Sequence, residues 1–495
     1  MPTAQPQATK GYPGRWVAMG VLIAAAFMNL LDATIVNVAL PVIQKDLNAH
    51  SSSIEWIVAG YVLVFALALM PCGRLGDIYG KKEMFLGGVG FFTLSSALSG
   101  VAPNIEFLIV ARLMQGLGAA IMAPQVLSLV QDMFVSKERS AALSMFGITS
   151  GIAIVSGPLI GGWLIAVNVF DMGWRSIFYI NVPVGIVAVI AGSVLIPRFP
   201  GQRTLRLDKP GVLIVALAFL FLIFPLVEGR RYDWPFWTFV MLLASLPLFA
   251  GFYVWETHRA KAGREQLLPV SLMHNHAYLL GGVISFLFYS TPAGLFMTFA
   301  IFLQQGFGFT PLEAGLATIP FPLGAFMAAF SNRRLSDNFM KGRILIGAAL
   351  MTSGLALILF IVWRHSGTPG VFTFAPGLLI GGFSLGFTVS PLFQSMLADV
   401  PGPDAGSASG ALQAIQQAGS ALGIAIASQL FFATIATRQA AGAATEDAYV
   451  AGFTACLTYM VAVTAAVFLA AWFLPAVRPG QQPGNEDGEA GLMLL

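Results

Sequence analysis

The sequence predicts an all-α integral membrane protein with fourteen spanning helices, arranged as two six-helix bundles and two inserted helices. Three observations predict it. Hydrophobic residues make up 57% of the 495 and charged residues 10%, with a mean hydropathy of +0.79, whereas a soluble domain carries roughly 25% charged residues. Apolar runs of about 18 to 28 residues recur along the chain, and about 20 suffice to cross a hydrocarbon core. Lys and Arg are concentrated in alternate loops between those runs.

The runs are bounded by charge, Pro or Gly. The first, 16–38, contains Asp32, is too long for a secretory signal and lacks a small-residue cleavage site, so it reads as a retained helix. The next, 54–72, ends before GRLGDIYGKK, and 84–102 starts after Lys81 and Lys82. Then come 105–126 with Arg112, the glycine-rich 141–166, and 177–197, which closes at Pro197. A basic stretch leads to 211–228 and 236–255, the inserted pair. The remaining runs are 277–304, 312–331, 343–363, 371–397, 408–434 and 450–474. This organisation gives a first bundle at 1–200, an inserted segment at 201–265, a second bundle at 266–476 and a tail at 477–495.

Loop charge sets the orientation. With a cytoplasmic N-terminus, cytoplasmic segments hold 19 Lys or Arg and external ones 6, while Arg112 lies inside a helix. Basic residues accumulate on the cytoplasmic side, so both termini are expected there, in the cytoplasmic membrane of a bacterium. A short repeat agrees with two bundles: Arg74-Leu75-Gly76-Asp77 is echoed by Arg334-Leu335-Ser336-Asp337, each followed by a glycine and a basic residue.

Several function classes are disfavoured. No basic face suggests nucleic acid as a partner. Cys72 and Cys456 sit in distant apolar runs, and His274 and His276 have no carboxylate or cysteine at ligand spacing, so no disulfide or metal site is expected. No cluster of nucleophile and base suggests an enzyme. The expected partners are the lipid bilayer, a small-molecule substrate and protons, with no cofactor beyond the proton gradient, and the chain is expected to be a monomer.

Ionisable groups at membrane depth carry the functional reading, because a charge at the bilayer centre costs at least ~2.5–3.5 kcal/mol. Asp32 lies in FMNLLDATIVNVALP and Arg112 in LIVARLMQGLGAA. Helical rise places both roughly 10 Å below the external surface, and Asn29, Asp32 and Asn37 share about 140° of the first helix. Gln115 sits one turn from Arg112. Two readings stay open: a proton-titratable carboxylate tuned by a guanidinium, or a structural ion pair that fixes helix packing.

Together these residues resemble the major facilitator superfamily, and within it the 14-spanner drug:proton antiporters, over nearly the whole chain. GRLGDIYGKK resembles the superfamily's loop signature, with Gly73 for close packing, Asp77 to cap a helix or pair with a base, and Gly80 and Lys81 closing the turn. Ile78 departs from the usual arginine, and Asp337 is the counterpart of Asp77. RLMQGLGAA resembles the helix-4 motif whose arginine is implicated in proton transfer, and Gly157, Pro158, Gly161 and Gly162 in GPLIGG resemble the antiporter motif. LDATIVNVALP, WRSIFYINVPVG, LQQGFGFTPLEAGLATIP and AGSASGALQAIQQAGSALGIAI are similar to segments of the 14-spanner group.

The resemblance implies two bundles rocking about a central cavity, with Asp32 carrying the proton beside Arg112. Asn29, Asn37, Tyr61, Gln115 and Gln416 are expected to line the substrate cavity. The expected cargo is a lipophilic drug or antibiotic, cationic or amphiphilic; an exporter of an endogenous metabolite, siderophore or lipid would share the same motifs.

Overall fold

The computed structural model describes residues 12–134, 136–201, 207–264, 266–268, 270–332, 339–364, 367–397 and 405–475. The expected tail at 477–495 and Asp337 lie outside the described residues.

The first group of helices is α1 (Arg15–Asp46), α2 (Ser51–Tyr79), α3 (Lys81–Gly100), α4 (Ile105–Met133), α5 (Ser136–Val167), the short α6 (Ser176–Tyr179) and α7 (Asn181–Leu195). The inserted pair is α8 (Lys209–Glu228) and α9 (Phe236–Lys261). The second group is α10 (Val270–His274), α11 (His276–Ile301), α12 (Pro311–Thr318), α13 (Pro320–Asn332), α14 (Met340–Arg364), α15 (Ala375–Leu397), α16 (Ala405–Ala440) and α17 (Thr445–Trp472).

Within the first group α3 packs on α4 and α7, α2 on α4, and α1 on α5. Within the second, α14 packs on α15 and α17, α11 on α16, and α13 on α15. Contact between the groups runs through α2 with α16, α5 with α12 and α13, and α1 with α11. The α8–α9 pair packs on itself and meets α2 and α16 through α8. Phe239, Leu243, Leu246 and Val254 of α9 remain exposed, as a lipid-facing surface requires.

Among the described residues, eleven helices are long and apolar enough to cross a membrane, and the protein is a multi-pass membrane protein. The other three expected runs are helical but differ in kind. The run at 84–102 is the 20-residue α3, whose interior carries Ser95, Ser96 and Ser99. The run at 141–166 lies within α5, which is continuous from Ser136 to Val167 and carries no charged residue beyond Arg139. The run at 312–331 is divided between α12 and α13 at Ile319, which keeps helical dihedrals (φ −53°, ψ −38°). Pro320 has no N–H for the Leu316 carbonyl, and that carbonyl accepts from Ile319 instead, at 3.2 Å.

The same chemistry divides the run at 177–197. Pro183 cannot donate to the Tyr179 carbonyl, and the helix is interrupted at Ile180 just before Asn181. Charged boundaries also proved poor guides to helix ends. α1 continues through Pro41 to Asp46, and α2 carries the expected loop residues Gly73 to Asp77 within its last turns. At 1.5 Å per residue the 32-residue α1 is about 48 Å long, well beyond a core of about 30 Å, so its polar end lies in the interface. There Arg15 binds Glu138 with two 2.7 Å hydrogen bonds, joining the starts of α1 and α5 and holding the Glu138 carboxyl below its ordinary range.

Candidate functional site

Asp32 sits on α1 where α3, α4 and the α6–α7 break converge, and none of it is exposed. Arg112 Nη1 donates to its Oδ2 at 2.6 Å, while Gln115 Nε2 and Asn181 Nδ2 donate to its Oδ1 at 2.8 and 2.9 Å. The guanidinium also donates from Nη1 to Gln115 Oε1 at 2.7 Å and from Nε to the Ile57 carbonyl at 3.1 Å. Ser96 Oγ receives Gln115 and Asn181 at 3.2 and 3.0 Å and donates to the Phe178 carbonyl at 2.9 Å. Five buried polar side chains on four helices thereby satisfy one another. A buried ion pair of this kind needs such satisfaction, because desolvation costs several kcal/mol per ion.

Local sequence explains the geometry. Arg112 and Gln115 are three residues apart on α4 and so lie on one face. Asn181 is the first residue of α7, two before Pro183, and Ile180 before it keeps helical dihedrals (φ −59°, ψ −27°). The Tyr61 ring covers the guanidinium at 4.3 Å, and its hydroxyl donates to Asn29 Oδ1 at 2.6 Å. Asn29, Tyr61 and Gln115, expected in a substrate cavity, are thus engaged in or against this network.

A separate cavity lies between the bundles, lined by Thr34, Asn37 and Pro158 on one side and Phe296, Ala300 and Thr318 on the other. Asn37 Oδ1 is buried there and has no hydrogen-bond partner among the described residues. Gln416 is half-buried on α16 and is not among the residues lining this cavity. Thr34 and Asn37 lie within a turn and a half of Asp32, yet Asp32 faces into its own bundle while they face the gap.

The GPLIGG segment binds α5 to two neighbours. A Cβ on Gly157 would overlap Thr34 Oγ1, and one on Gly161 would lie 2.7 Å from Ile35 Cγ1, so this face lies directly on α1 beyond Asp32. A Cβ on Gly162 would lie 2.7 Å from the Pro311 carbonyl oxygen, and a Cβ on Gly315 would overlap the Pro158 carbonyl oxygen. Pro158 lies inside the continuous α5, and its carbonyl forms part of the contact between bundles.

Gly73 does not make the close contact expected of it: a Cβ there would be 3.6 Å from Pro124, an ordinary distance. The tight position is Gly76, whose missing side chain leaves room for Gln125, and Gln125 Nε2 donates to the Cys72 carbonyl at 2.9 Å. Gly80 ends α2 with φ +110°, a conformation that requires glycine. Asp77 neither caps a helix nor forms an ion pair among the described residues; Lys81 Nζ instead donates to Asp132 at 2.6 Å. Ser96 and Asn181 escaped the sequence reading because neutral polar residues are unremarkable in membrane helices. The signals available for Asn181 were its place in WRSIFYINVPVG and its position two residues before a Pro within an apolar run.

On the opposite flank, α11 continues as a wider π-helical turn over Phe302–Gly306. Gln304 Nε2 donates to the Val38 carbonyl at 2.9 Å, Gln305 Nε2 donates to Gln44 Oε1 at 2.8 Å, and Tyr449 OH donates to Gln305 Oε1 at 2.8 Å. These bonds join the end of α1 to the second bundle.

Comparison with known proteins agrees with this architecture. The chain is 36% identical over 431 residues to a "Probable actinorhodin transporter" of Streptomyces coelicolor, spanning 87% of this chain and 75% of that one. It is 31% identical to "Puromycin resistance protein pur8" of Streptomyces alboniger, over 97% of this chain and 95% of the relative. The crystal structure of an auto-inhibited POT family peptide transporter superposes with a TM-score of 0.65 at 14% identity, covering 94% of this chain and 99% of that one, and so shares the fold. The Major Facilitator Superfamily model matches residues 22–424. With that match and the transporter-named relative from Streptomyces coelicolor, the chain is a membrane transporter rather than an enzyme, and it belongs to the Major Facilitator Superfamily.

Proposed function

We propose that the protein is a proton-coupled antiporter of the 14-spanner type, exporting lipophilic or amphiphilic drugs or antibiotics across the cytoplasmic membrane. The eleven long apolar helices, with α3, α5 and the α12–α13 run, make fourteen spans, with both termini cytoplasmic. The observation that carries the reading is the fully buried Asp32, ionisable and held by one cation and two amides. The names of the antibiotic-resistance relatives support the choice of cargo.

In this reading proton and cargo act on opposite flanks of α1. Both Asp32 oxygens are occupied by protein donors, so cargo does not displace the proton by direct contact. Protonation neutralises the carboxylate and weakens its bond to Arg112. α1 is then free to shift against Gly157 and Gly161, which moves Thr34 and Asn37 in the cavity. Thr34, Thr318 and the unpartnered Asn37 Oδ1 offer hydrogen bonds in an otherwise apolar cavity, a chemistry suited to an amphiphile carrying a donor. With both termini cytoplasmic, the Gln304 and Gln305 bonds lie at the external ends, and this conformation is closed outward.

Asp32→Asn tests the assignment, since the amide keeps the size of the side chain and removes its titration. The variant should fold, bind cargo and lose drug-driven proton movement in proteoliposomes; retained coupling would sink the assignment. In an efflux-deficient host, the protein should raise the inhibitory concentration of lipophilic antibiotics, and a protonophore should cancel the gain.

A second reading, export of one endogenous metabolite by the same mechanism, is favoured by the Streptomyces coelicolor relative, whose name gives a single compound, actinorhodin. Deleting the gene would then make an endogenous product accumulate in the cell, with no broad change in drug sensitivity.

A further inference from the structure

The α8–α9 pair holds a second buried carboxylate cluster, remote from Asp32. Glu256 lies near the end of α9 and has no exposed surface, and Asp208 directly precedes α8 and is 3% exposed. The two carboxylates differ in their donors. Asp208 receives Trp255 Nε1 at 3.0 Å on Oδ2 and 3.2 Å on Oδ1, and Arg259 Nε lies 3.4 Å from Oδ2. Glu256 Oε2 accepts from the Leu267 amide at 3.1 Å, but Oε1 is buried with no donor among the described residues.

Both side chains crowd the space that Gly211 leaves empty. A Cβ on Gly211 would overlap Asp208 Oδ2 and lie 3.0 Å from Glu256 Oε1. The Glu256 side chain is within hydrogen-bonding reach of Asp208. Two ionised carboxylates in that position repel each other and leave a buried acceptor unsatisfied; a single proton between them removes both penalties. The indole and guanidinium on Asp208 favour its anion, which assigns the proton to Glu256.

We propose that Asp208 and Glu256 form a second proton-binding site, in which protonated Glu256 donates to ionised Asp208 and pins Leu267, in the connection from α9 to α10, to the start of α8. That connection leads into α10, α11 and the second bundle, so the state of this proton sets how firmly the inserted pair is tied to the moving part. Among the described residues Arg259 is the cation that reaches the pair, whereas Lys209, His258, Lys261 and Arg264 are exposed. Arg203, Arg206 and Glu265 lie outside the described residues.

The proton is held in the folded state, so its contribution to stability is full below the ordinary carboxylate range, where the unfolded carboxyl is protonated too, and shrinks as pH rises from there until the folded site itself titrates. The test uses full-length protein in nanodiscs. E256Q, whose amide keeps a donor toward Asp208, should melt with the wild type in the acid range, where an unfolded carboxyl is protonated, and above it at neutral and alkaline pH, so that the gap between them opens as pH rises out of that range. The infrared band of a protonated carboxyl should vanish in E256Q and persist in D32N. If E256Q folds poorly, D208N provides the same melting comparison, because a neutral partner cannot repel a deprotonated Glu256. Parallel melting curves for the variant and wild type across pH, or a carboxyl band unchanged in E256Q, would overturn the proposal. None of these readouts requires transport, so a failure of the antiporter reading cannot imitate either result.

Discussion

Asn181 and Gln115 share the task of satisfying Asp32 Oδ1, and removing either leaves a buried carboxylate short of a donor. Asn181→Ala should therefore slow drug-driven proton exchange, while Asn181→Asp, which sets a second carboxyl against Asp32 in place of a donor, should slow it further. Exchange rates in proteoliposomes check this, and equal rates in wild type and both variants would reduce Asn181 to packing. Arg112 tests the energetics of the same network. Arg112→Met leaves an unpaired buried charge, a loss worth about 3–5 kcal/mol, and adding Asp32→Asn should recover much of it in an unfolding titration. Asp32 and Arg112 were legible in the sequence because a charge inside an apolar run demands a reason. Of their neutral partners, Gln115 was legible from its spacing on α4, but Ser96 and Asn181 were not, since they acquire meaning only when α3 and α7 are brought against α1.

At the scale of elements, glycine position decides how helices meet. Gly157 and Gly161 lie on α1 within one bundle, while Gly162 lies on α12 of the other. Gly157→Ala must displace Thr34 and should lower the melting temperature of the whole protein. Gly162→Ala meets a backbone carbonyl across the bundle interface, so it should spare the melting temperature and slow transport. A variant pair that loses stability equally would show that both contacts merely pack. The GPLIGG string announced close approach, but not that its glycines divide between two partners. Helix termini were still less legible: the expected loop at Gly73 to Asp77 is helical, because a helix that leaves the hydrocarbon core can keep its own backbone bonds while charged side chains reach water. The α6–α7 and α12–α13 interruptions were written in Pro183 and Pro320, yet each Pro also occurs in a form compatible with an unbroken helix, as Pro158 and Pro41 show.

At the scale of the molecule, the two bundles are joined at one end by the glutamines of the π-helical turn. Inserting one residue per turn in this way redirects side chains out of the regular helical register, and such turns concentrate at functional positions. Here the turn aims Gln304 and Gln305 together at α1, where they bind the Val38 carbonyl and Gln44. Hydrogen bonds between neutral side chains contribute only about 0.5–1.5 kcal/mol each, a strength suited to a contact that forms and breaks in every cycle. If these ends must separate during transport, tethering them should stop it. The native cysteines, Cys72 and Cys456, are buried and can be replaced by Cys72→Ser and Cys456→Ala. In that background, Gln44→Cys with Gln305→Cys should react with a short cleavable bifunctional thiol reagent. The crosslinked protein should lose drug export and regain it on cleavage, while either single substitution treated in the same way should stay active. Full transport by the crosslinked species would mean that the two ends never part, and the rocking of one bundle against the other would have to be abandoned for this protein.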